Sequence, residues 1–263
     1  MITDGKFLDT NVVFDIIYSE RKRHKKSLQF YQNFKNLELR VSGKVLIEIG
    51  ELLNSSLTAL VLRIRDSIKH LELSGRRWDD LQLSQRRKVL IEFENDINND
   101  KKLIKMNQME FVLNGFRKLE NIILKYNFEE IQEALLGVAD DLSEEVFSKV
   151  NSLFSPVYLD HDKVDSKQIE YSKKIDSKVI SRFFNNLSSS KDKDIVMELL
   201  FYLGFGAKDE NFRQIVLYTM DSGFEKNYLN FKNSKNEYEN YCEQEISNFL
   251  KSTCSNLYVE IAY

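Results

Sequence analysis

The stretch that decides the fold is Lys6-Phe7-Leu8-Asp9-Thr10-Asn11-Val12-Val13-Phe14, continued by Asp15-Ile16-Ile17. Lys6-Phe7-Leu8 reads as a short buried strand and Asp9-Thr10-Asn11 as a polar turn. Val12, Val13, Ile16 and Ile17 then return at helical spacing. A charged helix is expected next, over 24–36, with Leu28, Tyr31 and Phe34 as its apolar stripe, and residues 37–41 read as a second strand. Ser42 is placed as the N-cap of a further helix whose apolar face is Val45, Leu46, Ile49, Leu52 and Leu53. Strand, helix, strand and helix over residues 1–55 announce a parallel sheet.

That rhythm stops near residue 56. Leu57, Leu60, Val61, Ile64, Ile68 and Leu71 mark one amphipathic helix, closed by Ser74-Gly75. Further helices are expected near 84–97, 101–127, 143–155 and 166–187, the last striped by Ile169, Ile175, Val179 and Phe183. No strand and no fixed-period repeat is visible there. Past Ser188-Ser189-Ser190 the alternation resumes: a helix from Asp194 through Leu203, a strand over 214–219 with Asp221 just after it, a charged helix over 235–252, and an alternating strand over 257–261. The expectation is an α/β fold: a small parallel-sheet domain built from 1–55 and 188–263, carrying an all-helical insertion over 56–187.

Composition agrees with helices around a small sheet. A hydrophobic share of 42% over 263 residues supplies a core, and nine Gly with the single Pro156 are too few turn formers for a sandwich or barrel. The net charge of −3 gives no bulk signature of nucleic-acid binding, which leaves only a local basic face to carry one. The most apolar stretch, 195–206, is broken by Glu198 and falls short of the ~20 residues of a membrane span. The opening Met1-Ile2-Thr3-Asp4-Gly5-Lys6 lacks a basic leader ahead of an apolar block. Cys242 and Cys254 are too few for a disulfide framework or a zinc site. A reduced cytoplasmic protein, without membrane association, is the expectation.

Four acids sit where α/β sites form: Asp9, Glu48, Asp194 and Asp221. Asp9 ends the first strand and Asp221 follows a later one, and functional sites in open parallel sheets gather at the carboxyl ends of strands. A carboxylate cluster needs a counter-charge, and hard Mg²⁺ or Mn²⁺ suits oxygen ligands. Such an ion polarises a phosphoryl group and activates a water for in-line attack. Three of the four also have a plainer explanation: a helix N-cap for Asp9, a solvated helix face for Glu48, and the helix dipole for Asp194.

Phe7-Leu8-Asp9-Thr10-Asn11 resembles the opening strand and Asp-Thr-Asn signature of the PIN-domain nucleases. Val41-Ser42 with Val45-Leu46-Ile47-Glu48-Ile49 is similar to their Ser-to-Glu helix. Lys193-Asp194-Ile195-Val196 resembles their third acidic segment, and the run from Val216 to Phe224 resembles their strand ending in Thr-x-Asp-x-x-Phe. The resemblance covers the two flanks and implies a PIN-like fold and a metal-dependent ribonuclease. It implies that Asp9, Glu48, Asp194 and Asp221 are catalytic and hold Mg²⁺ or Mn²⁺, with Asn11 supporting Asp9 and Thr219 orienting Asp221. Asp192 precedes the same helix and stays open as the third acid. Many relatives carry a second Asp where this chain has Gly223, so a PIN-like module that binds nucleic acid or protein without cutting stays open as well. A phosphatase of the haloacid dehalogenase type would want an Asp where Asn11 stands.

The densest basic run, Arg21, Lys22, Arg23, His24, Lys25 and Lys26, is the expected nucleic-acid contact, set against a solvated helix. Arg76-Arg77-Trp78 and Arg86-Arg87-Lys88 read either as a phosphate grip with Trp78 stacking on a base, or as a solvated junction beside Asp79 and Asp80. Asp160, His161, Asp162 and Asp165 read as a solvated loop. The helical insertion is expected to cap the site, select substrate, or bind a second copy or another protein.

Overall fold

The structure, a computed structural model, describes residues 2–18, 21–34, 38–75, 77–100, 109–159, 166–175 and 190–263. In chain order these form β1 Ile2–Leu8, α1 Thr10–Ile17, α2 His24–Phe34, β2 Leu39–Ser42, α3 Gly43–Leu73, α4 Leu83–Asn98, α5 Met109–Lys125, α6 Phe128–Leu153, β3 Ser155–Val157, α7 Ser166–Ile175, α8 Ser190–Phe205, β4 Asn211–Thr219, α9 Ser222–Asn233, α10 Gln244–Asn256 and β5 Leu257–Ile261. Short 3₁₀ turns cover Trp78–Asp80 and Ser234–Asn240.

The fold is α/β. Five strands, all parallel, lie in the order β3-β2-β1-β4-β5. The chain steps outward from β1 to β2 and β3, then returns to place β4 on the other side of β1. The strand order therefore reverses between β1 and β4, and the crevice beyond their carboxyl ends is where α/β sheets hold ligands. Phe7, Leu8, Ile215 and Leu217 are fully buried, and Val12 and Val13 of α1 and Leu199 and Leu200 of α8 are buried as well. Strands covered on both faces need such continuous apolar runs.

Close contacts divide the chain into two units, Met1–Ile49 with Val150–Tyr263, and Gly50–Lys149. The expected helical block of 56–187 differs from this at both ends. Ser155–Val157 is a strand, not helix, and pairs with β2 through Arg40↔Ser155, Val41↔Pro156 and Ser42↔Val157. A proline is tolerated there because β3 is an edge strand with no outer neighbour to serve. Tyr171 of α7 packs edge-on against Phe205 and Phe249, inside the sheet-bearing unit. The expected helix over 235–252 is also broken. Tyr238, fully buried, donates to the Phe231 carbonyl (2.6 Å) and holds a 3₁₀ turn ahead of α10. The stretches 101–108 and 176–187, Arg76 and the acidic cluster at 160–165 lie outside the described residues.

The Gly50–Lys149 unit has its own core, in which Ile64, Phe93, Phe116, Ile123 and Ile131 meet around Trp78. Trp78 is 1% exposed and its indole N–H donates to the Tyr126 carbonyl. Arg86 donates to the carbonyls of Leu124 and Tyr126 (3.1 Å each), capping the end of α5. This pair is structural, and Trp78 offers no face to a base. Within α3, Gly43–Leu71 is long and apolar enough to cross a membrane by length and composition. Its exposed positions include Lys44, Glu51, Asn54, Arg65, Asp66 and Lys69, while Ile49, Leu53, Leu60, Ile64 and Ile68 are buried. Ile47 and Leu62 are exposed apolar residues on the same helix.

Candidate active site

Asp9 follows the last residue of β1 and is the N-cap residue of α1. It is 3% exposed. Its Oδ1 accepts from the Thr10 amide (2.8 Å) and its Oδ2 from the Thr219 hydroxyl (2.9 Å). Thr219 ends β4, so this bond closes the seam at which the strand order reverses. The Thr219 hydroxyl in turn accepts from the Asp221 amide (3.1 Å). Thr219 thus serves Asp9 directly, besides the expected link to Asp221. Asn11 is exposed, and among the described residues no hydrogen bond joins its side chain to Asp9.

Glu48 stands in the second turn of α3, where it accepts from the hydroxyl of Thr10 (2.5 Å). Thr10 therefore joins the two acids, its amide on Asp9 and its hydroxyl on Glu48. Burial raises the Asp9 pKa from an ordinary 3.8 to about 7, against the Thr219 bond, which lowers it. The charges of Glu48 and then Asp192 add to the rise and the Thr10 amide opposes it, so that about 7 is the balance of all five influences.

Of the two acids at the start of the helix, Asp192 is the one whose charge acts on Asp9. Helix α8 begins at Ser190, so Asp192 occupies its first turn. Asp194, two positions on, is rotated by ~200° at ~100° per residue and is exposed. Asp221 is the N-cap of α9, and its Oδ1 accepts from the amides of Gly223 (2.7 Å) and Phe224 (3.2 Å). A Cβ at position 223 would stand 2.9 Å from that oxygen, so the carboxylate packs closely over Gly223.

The charges of the half-buried Glu48 and Asp192 both act on the buried Asp9, and carboxylate oxygens of this kind suit a hard divalent cation. They are linked pairwise and not gathered around one point. Among the described residues no group of three or more His, Cys, Asp or Glu side chains stands ready to hold a metal ion.

No family model, no curated protein and no solved structure matches this chain. The site is therefore read from its own geometry.

Arg21, expected as a nucleic-acid contact, is instead paired with the buried Asp15. Lys22, Arg23, Lys25 and Lys26 are exposed. The His24 ring donates from Nδ1 to the Asp15 carbonyl (2.9 Å), and the Tyr263 hydroxyl donates to Asp15 Oδ2 (3.1 Å) and also meets Ser27. Tyr263 follows Ala262, whose amide bonds the Thr219 carbonyl (2.9 Å). The basic run is thereby tied to the carboxyl end of the sheet, beside Thr219.

Sequence reasoning missed Glu198. It is 6% exposed, accepts from the Lys44 amide (2.8 Å), and lies against the hydroxyls of Ser42 and Tyr202. Burial raises its pKa. A signal was present: an acid inside the apolar run 195–206 must be either exposed or partnered.

Proposed function

We propose that this protein is a PIN-like, metal-dependent nuclease that hydrolyses phosphodiester bonds in RNA. The observation that carries the reading is the crowding of Glu48 and Asp192 upon the buried Asp9, at the point where the strand order reverses. Asp9, Glu48 and Asp192 are the residues that would hold Mg²⁺ or Mn²⁺. The chemistry supplied by such an ion, when bound, is polarisation of a phosphoryl oxygen and activation of water. Thr10 and Thr219 fix the Asp9 carboxylate, and Thr10 also turns Glu48 toward it. Lys22, Arg23, Lys25 and Lys26 supply exposed cations for the phosphate backbone.

Labelled single-stranded RNA and DNA, incubated with Mn²⁺ and separately with chelator, test the reading. Cleavage in Mn²⁺ alone, absent in Asp9→Asn and Asp192→Asn, is the expected result. No cleavage of either nucleic acid by the parent would remove it. One observation favours a second reading, a PIN-like module that binds without cutting: one oxygen of the Asp221 carboxylate is engaged in capping α9. A parent protein that binds RNA but shows no Mn²⁺ uptake in titration would decide for that module.

A further inference from the structure

We infer that Glu198 is a positioning residue: it fastens the helix presenting Asp192 to the helix presenting Glu48, and so sets the spacing of the two acids that act on Asp9. The inference rests on the metal-dependent reading above.

Asp192 and Glu198 share α8, and Lys44 and Glu48 share α3. Glu198 Oε2 accepts from the Lys44 amide at 2.8 Å, one of the amides that the start of a helix leaves without an internal partner. Its Oε1 occupies the place a side chain at Gly43 would take, since a Cβ there would lie 2.9 Å away. The first residue of α3 makes room for the carboxyl, and the second bonds it. The Tyr202 hydroxyl, one turn further along α8, donates to the Val157 carbonyl (2.8 Å) and anchors the same stretch of α8 to β3.

A plain capping role does not account for this arrangement. Ser42 already caps α3 locally, its hydroxyl accepting from the Val45 amide (3.4 Å). A second cap from a residue 154 positions away adds a buried carboxyl, which is costly to desolvate. What it adds is registry between two helices, the best-attested use of buried polar groups. Metal sites depend on such supports, whose loss commonly weakens binding by roughly 10–100-fold.

The test is Mn²⁺ titration by calorimetry on the parent, Glu198→Ala, Glu198→Gln and Gly43→Ala, with RNA affinity measured in chelator and melting temperature measured alongside. Glu198→Ala and Gly43→Ala are expected to bind Mn²⁺ roughly ten-fold or more weakly, with RNA affinity in chelator unchanged. Glu198→Gln keeps an oxygen for the Lys44 amide and is expected to stay within about three-fold of the parent. In the Glu198→Ala, Asp192→Asn double variant, Mn²⁺ binding is expected to be no weaker than in Asp192→Asn alone, because both changes act through one ligand. Parent-like Mn²⁺ affinity in Glu198→Ala, with only a lower melting temperature, would overturn the inference and leave the nuclease reading standing. If Glu198→Ala does not fold, parent-like affinity in Gly43→Ala overturns it equally. A parent that neither binds Mn²⁺ nor cleaves removes the nuclease reading, and this inference with it.

Discussion

The Thr219 hydroxyl donates to Asp9 Oδ2 at 2.9 Å, and this bond is the main influence holding the Asp9 carboxyl down against its burial. Thr219→Val keeps the shape and removes the donor. A hydrogen bond to an ionised group is worth about 1.5–3 kcal/mol, so the Asp9 pKa is expected to climb by roughly one to two pH units. Carbon-detected NMR of the carboxyl reads this directly. An Asp9 that titrates as in the parent would show that the bond carries no weight.

The elevated Asp9 pKa fixes the sign of a pH effect. The folded value of about 7 lies above the ordinary 3.8, so between them the native state keeps a proton that the unfolded chain has released. Stability is therefore greatest below that window and falls as pH rises through it, by about 4 kcal/mol at 1.36 kcal/mol per pH unit. In chelator, the melting temperature is expected to drop between pH 4 and pH 7, and to drop less in Asp9→Asn. Mn²⁺ must displace the proton, so its affinity is expected to strengthen from pH 6 to pH 8. Affinity independent of pH would separate the ion from Asp9.

Asp9→Asn removes the charge but keeps the size. Cleavage in Mn²⁺ is expected to fall by orders of magnitude, while the variant melts at or above the parent in metal-free buffer at pH 8, since the crowding by Glu48 and Asp192 is relieved. RNA binding in chelator is expected to persist. A variant that fails to fold would mark Asp9 as a structural cap alone.

Asp192 and Asp194 make an internal control on one helix. Asp192→Asn is expected to lower the Asp9 pKa and abolish Mn²⁺-dependent cleavage, whereas Asp194→Asn is expected to leave both close to the parent. The reverse pattern would restore the sequence-based choice of Asp194.

The basic run divides in the same way. Replacing Lys22, Arg23, Lys25 and Lys26 together by Ala is expected to flatten the salt dependence of RNA binding, by about 0.7 in logarithmic slope for each phosphate no longer neutralised, with little change in melting. Arg21→Ala strands the buried Asp15 and is expected to cost about 3 kcal/mol of stability. Calorimetric melting and salt titrations distinguish the two.

What could be read in the sequence was local. The strand, turn and helix around Asp9 lie within a dozen residues, and the Ser42 cap announces α3 in the same way. The start of α8 was set at the first apolar positions, at Asp194, while the helix begins four residues earlier, at Ser190. On a helix a two-residue error exchanges opposite faces. Strand β3 was illegible because three residues carry no period and Pro156 reads as a breaker until its edge position is known. Glu198, Thr10 and the capping oxygen of Asp221 are matters of partnership in the folded chain, and for Glu198 and Thr10 no window along the sequence contains both partners.

The separation between Asp9 and Thr219 has a consequence for how the protein is made. The two lie 210 residues apart, and the seam they close joins one flank of the chain to the other. A ribosome adding about 5–20 residues per second needs roughly 10–40 seconds to supply the second partner after the first. For most of that interval the nascent chain has Asp9, Thr10 and Glu48 but neither Thr219 nor Asp192, while the intervening Gly50–Lys149 unit, with its own core, emerges in one piece. Under the proposed nuclease reading, a site assembled in this order is incomplete until translation has passed β4.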